Sequence, residues 1–199
     1  MSLDKPVFIS AVLLAAGESS RMGEPKQLLP FGRSTFVEQA VDTLLGSAVA
    51  EVIVVVGYRA EPVVKRIGPR PVKIAQNPEY RQGMITSIIA GLKLVAPETG
   101  AVMLALSDQP LLNSRTIDNL ISGFLRGDKG IAIPTCRGVR GHPVIFVSKY
   151  IRELMKVKGD IGGRQIIDSH PEDVLEVEVA SEGVVVDIDT EDDYRRHLG

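Results

Sequence analysis

The chain has no tryptophan, and its four tyrosines and five phenylalanines bring aromatic content to only 5%. Proteins that hold single-stranded nucleic acid stack bases on aromatic side chains, and this chain has few to offer. Basic surplus is missing as well: 23 Lys and Arg stand against 25 Asp and Glu, a net charge of −2. Without a positive field, neither nucleic acid nor an anionic membrane is an expected partner. The single cysteine, Cys136, has no internal disulfide partner, and no Cys and His spacing suits a structural zinc site. The apolar run at residues 7–16 is interrupted by Ser10 and is too short to span a bilayer. Residues 1–4 lack the basic and apolar regions of a secretory signal. Together these absences point to a cytoplasmic protein that acts on small molecules.

What is present is an alternation of elements. Val-, Ile- and Leu-rich runs bounded by Gly, Pro or Asn predict buried strands at 8–15, 51–57, 72–75 and 101–106. Helical spacing places Val37, Val41, Leu44 and Leu45 on one face of a helix capped by Ser34 and ending at Gly46. Further helices are expected over 60–67, 84–95 and 114–125. Beyond residues 131–134 the rhythm loosens, with strands expected at 143–147, 174–179 and 184–188. The prediction is one α/β domain over 1–199, a three-layer Rossmann-like fold with a mostly parallel mixed sheet. Ligands should gather at the carboxyl ends of its strands, with a nucleotide-binding part over about 7–110 and an acceptor-binding part over about 111–199.

The first of those ends reads Leu14-Ala15-Ala16-Gly17-Glu18-Ser19-Ser20-Arg21-Met22-Gly23-Glu24-Pro25-Lys26. Small residues let backbone N–H groups approach a ligand closely. Arg21 and Lys26 add cations and Ser19 and Ser20 add hydroxyls, which suits a triphosphate. Gly17 alone would serve a tight turn equally well. The spacing matches neither G-x-x-x-x-G-K-[ST] nor G-x-G-x-x-G.

Asp108, in Ser107-Asp108-Gln109-Pro110, ends a central strand and is a candidate Mg²⁺ ligand, although an isolated aspartate there could simply cap a turn. Far along the chain, Asp187 and Asp189 alternate at the end of the expected last strand and so share a face. Carboxylates brought together from distant strands repel unless a cation lies between them, which makes Asp108 and Asp189 the expected metal pair. Asp192 and Asp193 read as helix-start charges. Arg140 and His142, ahead of the 143–147 strand, could meet a phosphate-bearing acceptor, as could Arg164 at a helix start, though each also suits a surface loop.

The first loop resembles the signature L-A-A-G-x-S-x-R-M-G-x-x-K of nucleotidyltransferases related to molybdenum cofactor cytidylyltransferase and molybdopterin-guanine dinucleotide synthase. The resemblance continues motif by motif: Asn77, Tyr80, Gly83 and Ser87; Asp108-Gln109-Pro110; Gly141-His142-Pro143-Val144; Gly159-Asp160 with Arg164; and Asp187-x-Asp189-Thr190. Ser107 and Glu191 depart from the family's usual Gly and Pro without removing a carboxylate.

The resemblance implies that Leu14, Ala15, Ala16, Gly17, Ser19, Arg21 and Lys26 wrap a CTP or GTP triphosphate, with Asn77, Gly83 and Ser87 beside the base or ribose. It implies Mg²⁺ on Asp108 and Asp189, catalysis by Lys26, Arg21 and Asp108, and a molybdopterin-type acceptor at His142, Arg164 and Asp160. Ala15-Ala16-Gly17 is closer to the cytidylyl members, so CTP is the expected donor. A molybdoenzyme or its chaperone is the implied protein partner. GTP as donor, a sugar- or polyol-phosphate acceptor, or a non-catalytic cofactor chaperone are the other readings.

Overall fold

A computed structural model describes residues 7–19, 22, 24–159 and 162–198, with Leu198 described by its backbone alone. In chain order the elements are β1 (Ile9–Ala15), β2 (Pro30–Phe31), β3 (Ser34–Thr35), α1 (Phe36–Leu45), β4 (Glu51–Val56), α2 (Ala60–Ile67), β5 (Lys73–Gln76), α3 (Met84–Leu92) and β6 (Ala101–Leu106). They continue with α4 (Ser114–Arg126), β7 (Ile131–Cys136), β8 (Val139–Arg140), β9 (Val144–Val147), α5 (Ile151–Leu154), α6 (Arg164–Ser169), β10 (Val174–Glu178) and α7 (Glu191–Leu198). None of the described helices is long and apolar enough to cross a membrane.

The main sheet runs β10-β7-β9-β6-β1-β4-β5, with β8 paired to β7. β1, β4, β5 and β6 are parallel, β10 is parallel to β7, and β9 runs against both β6 and β7. Alternation along each strand supplies two cores. In β1, Ile9, Ala11, Leu13 and Ala15 face one side with Val37, Val41 and Leu44 of α1 and Ile117, Leu120 and Phe124 of α4. Val12 faces the other with Ile85, Ile88 and Leu92 of α3, Leu154 of α5 and Ile166 of α6. Helices cover both faces, giving the expected three-layer, mostly parallel α/β architecture.

Two local expectations are corrected. Ser34 does not cap α1: it pairs with Phe31 in the β2–β3 hairpin, so the helix starts one residue later. There the Glu38 carboxylate accepts from the Thr35 N–H and hydroxyl at 2.9 and 2.7 Å. Residues 184–188 do not form a strand either. The segment crosses the carboxyl ends of the sheet instead of lying beside a neighbour, so its backbone is satisfied singly: His142 N donates to Val184 O at 2.8 Å, and Ile188 N to Asp108 O at 3.0 Å. Asp187 and Asp189 are therefore placed by loop contacts, and a shared strand face does not explain them.

The β2–β3 hairpin and α7 close over this crossing. Ile188 is buried with Leu29 and Phe36, Phe36 meets both Phe31 and Tyr194 at 5.9 Å between ring centroids, and Tyr194 donates to Pro30 O at 2.8 Å. At the start of α7, Asp193 accepts from the Thr190 N–H and hydroxyl at 3.0 and 2.7 Å, a helix cap.

The tightest helix-to-sheet contact lies at Gly91 of α3, where a Cβ would stand 2.3 Å from Val12 Cγ1 and 3.0 Å from Val55 Cγ2. Alanine would gain up to about 1 kcal/mol in helix propensity, whereas forcing a methyl against the stiff Val12 costs about 1–3 kcal/mol. Gly91→Ala should thus lower stability by about 1–2 kcal/mol in urea unfolding; an unchanged midpoint would show that α3 lifts off the sheet freely.

Candidate active site

Strand order places the site. From β1 the chain moves to β4 and β5 on one side, then returns through α3 to β6 on the other. The crevice at this switch point lies between the carboxyl ends of β1 and β6, where Leu14 pairs with Leu106. The segments that follow, residues 16–19 and 24–28 on one side and 107–113 on the other, therefore face each other.

The first loop is tied internally. Ser19, at φ 54°, accepts through its hydroxyl from Lys26 N at 2.9 Å, and Gln27 Nε2 donates to Gly17 O at 2.9 Å. These bonds turn the chain back so that Lys26, only 8% exposed, enters the crevice from above. Its ammonium donates to Asp108 Oδ2 at 3.4 Å and to Asp189 Oδ1. The two expected metal ligands thus meet around one cation, although they lie 81 residues apart in the chain.

The same neighbourhood holds more negative charge than Lys26 balances. Gln109 Nε2 bridges Val184 O at 3.1 Å and Asp187 Oδ1 at 2.8 Å, tying the crossing segment to the β6 turn. Burial, together with the nearby Asp187, pushes the Asp108 carboxyl above its ordinary range against the pull of Lys26. Asp108 Oδ1 is buried and has no hydrogen-bond partner. Hard carboxylate oxygens with one left unsatisfied fit a small divalent cation. Among the described residues no group of three His, Cys, Asp or Glu side chains converges to cage a metal, so its remaining positions would fall to phosphate and water oxygens.

Two cavities open from this point. One, of about 480 Å³, is lined by Ala16, Gly17, Ser19, Lys26, Gly83, Ser87, Asp108 and Asp189. The other, of about 490 Å³, has a floor of Ile88, Leu104, Ile133 and Phe146 and a rim carrying Arg140, His142, Arg164 and Asp168. Leu14, Met84 and Leu106 line both. His142 donates its backbone N–H to Val184 O, and burial pulls its imidazole below the ordinary value despite Asp187, which favours the neutral ring. Arg164 opens α6, is largely exposed and lies 3.7 Å from Asp168; Arg140 pairs with Glu176 at 2.7 Å.

Most of the sequence-predicted residues meet here, but not all in the expected way. Leu14, Ala16, Gly17, Ser19, Lys26, Gly83 and Ser87 line the first cavity, whereas the side chain of Ala15 points into the core beneath it. Asn77, expected beside the base or ribose, is 3% exposed and spends its amide inside the fold. It donates to Thr86 Oγ1 and Ser87 Oγ, both at 2.9 Å, and accepts from Glu79 N at 3.0 Å. These bonds hold the 77–87 wall, and through Ser87 they reach the cavity lining. Arg21 and Asp160 lie outside the described residues.

Sequence reasoning missed the apolar floor, because its residues read as ordinary strand and helix core. It also missed the rim pair Glu18 and Arg81, 2.7 Å apart, which joins the first loop to the 77–87 wall; the Arg81 guanidinium lies over the Tyr80 ring at 5.6 Å. The only signal was the placement of Arg81 inside the Asn77 to Ser87 element.

The MobA-like NTP transferase domain family matches residues 11–174. Nicotine blue oxidoreductase of Paenarthrobacter nicotinovorans is 32% identical over 96% of each chain. Molybdenum cofactor cytidylyltransferase of Escherichia coli K12 is 30% identical over 94% of this chain and 93% of that protein. Among solved structures, Rv0371C of Mycobacterium tuberculosis H37Rv in complex with manganese superposes with a TM-score of 0.81 at 28% identity, covering 96% of this chain and 98% of that one.

Asn77 offers a direct check on this geometry. Asn77→Ala removes three buried hydrogen bonds and should cost about 1–3 kcal/mol of stability. It should raise the KM for nucleotide more than it lowers kcat, because the wall loosens while the carboxylates stay in place. An equal fall in kcat with KM unchanged would place Asn77 in the chemistry.

Proposed function

The chain belongs to the MobA-like NTP transferase family and is a nucleotidyltransferase, and from this premise we propose that it transfers CMP from CTP to molybdopterin, releasing pyrophosphate. The observation that carries this reading is the junction of the two cavities at Leu14, Met84 and Leu106, with Lys26, Asp108 and Asp189 on the nucleotide side. A triphosphate in the first cavity would present its α-phosphorus at that junction to an acceptor held in the second.

Each part of the site has a task in this scheme. Backbone groups at Ala16 and Gly17 and the Ser19 hydroxyl cradle the phosphates, while Lys26, with Arg21 from the same loop, neutralises charge that grows on the departing pyrophosphate. Asp108 and Asp189 would hold Mg²⁺, which when bound supplies Lewis-acid stabilisation of the phosphate oxygens; the manganese complex of Rv0371C supports a divalent ion here. The apolar floor suits a flat heterocycle, and His142, Arg164 and Asp160 would orient the acceptor's polar groups. An acceptor phosphate is already anionic at neutral pH, so its oxygen attacks the α-phosphorus without a general base, and a neutral His142 serves as a hydrogen-bond partner. Gly83 and Ser87 border the base or ribose. The choice of CTP rests on Ala15-Ala16-Gly17 and on the cytidylyltransferase relative. Residues of about 7–110 would serve the nucleotide and about 111–199 the acceptor, within one domain, with a molybdoenzyme or its chaperone receiving the product.

Pyrophosphate release from each of the four triphosphates, with molybdopterin and Mg²⁺, tests the reading. CTP should be preferred; release with GTP alone would reverse the base, and release with none would defeat the proposal. Asp108→Ala should remain folded and lose about 10³-fold in turnover, the scale of removing one preorganised electrostatic contact.

A further inference from the structure

Lys26 is placed where a phosphate-binding lysine would not be expected to rest. Its side chain is buried, its backbone is pinned by Ser19 Oγ at 2.9 Å, and its ammonium sits between Asp108 and Asp189. Those are the carboxylates that a divalent cation would use, with the unpartnered Asp108 Oδ1 still open beside the lysine. Close by, Asp187 adds a third negative charge, held to Gln109 at 2.8 Å. At the rim Glu18 and Arg81 neutralise each other at 2.7 Å. Among the described residues that line this cavity, Lys26 is the cation in contact with both Asp108 and Asp189.

We propose that Lys26 is a resident cation that occupies the metal position and is exchanged for it. When the divalent ion takes the Asp108 and Asp189 oxygens, like charge drives the ammonium away. Its flexible four-carbon stem then turns into the cavity bounded by Gly17, Ser19 and Ser87, where the phosphates lie. The lysine reaches the phosphates only after the metal has displaced it, so one side chain both suppresses binding of metal alone and commits to the nucleotide once metal is present. Metal and nucleotide then bind as a unit through a coupling that Lys26 itself creates. This inference rests on the assignment of Asp108 and Asp189 to the metal.

Mn²⁺ binding in the absence of nucleotide, followed by the spin resonance of free Mn²⁺, separates the two ideas. Lys26→Met should tighten Mn²⁺ by about tenfold, a typical coupling between linked ligands, whereas Lys26→Arg, which keeps the cation, should stay near wild type. Unchanged or weaker Mn²⁺ binding in Lys26→Met, with binding still lost in Asp108→Asn, would overturn the exchange and leave the metal assignment standing. Mn²⁺ binding that survives in Asp108→Asn would remove the metal assignment, and the exchange with it. The unsubstituted protein gives a second readout that does not depend on a variant folding. Saturating Mg²⁺ without nucleotide should raise acetylation of Lys26 by acetic anhydride relative to the exposed Lys73, and an unchanged ratio would overturn the proposal.

Discussion

The parallel pairing of β1 with β6 is the constraint from which the site follows. The two strands are distant in sequence and run side by side with Leu14 opposite Leu106, so the loops leaving them must share one crevice. Both are sealed on their two faces by helices, and neither can slip its register by one residue without turning a core side chain into the wrong layer. Lys26 and Asp108 are neighbours because the centre of the sheet allows nothing else. Asp189 is held less rigidly, by Ile188 bonding to the Asp108 carbonyl and by α7 docking on the β2–β3 hairpin.

That difference explains what could be read in the sequence. β1, β4 and β6 are legible because a strand buried on both faces is a continuous apolar run, and α4 because Ile117, Leu120, Ile121 and Phe124 repeat at helical spacing with Asn113 as its cap. The loop after β1 is legible because close backbone approach demands small residues and charge demands cations, both local requirements. Residues 184–188 look like a strand since their alternating pattern is that of an extended chain. Whether an extended chain has a neighbour to pair with is decided elsewhere in the fold.

The site itself was visible as chemistry and obscure as geometry. Sequence position pointed to Asp108 at a strand end, to Asp189 in an alternating pair and to Lys26 in the first loop. It could not show that the lysine lies between the aspartates, because that contact joins three separate segments. Asn77 illustrates the converse: a polar residue in a recognisable motif turns out to be buried and bonded to Glu79, Thr86 and Ser87. The apolar floor of the second cavity carries no signature at all, since Leu104 and Phe146 are strand core to any periodicity argument.

The docking of α7 has a consequence for the life of the chain. Every strand of the sheet is present once residue 178 has been made, and both cores are nearly filled by then. Asp189 arrives later and is secured by the Ile188 bond to Asp108 together with the docking of Tyr194 on Pro30. A nascent protein emerging from the ribosome would thus acquire its architecture before Asp189 joins Asp108 and Lys26 in the crevice. Trimming within the last helix would have the same outcome in the mature protein, leaving a well-folded sheet beside which Asp189 is no longer secured.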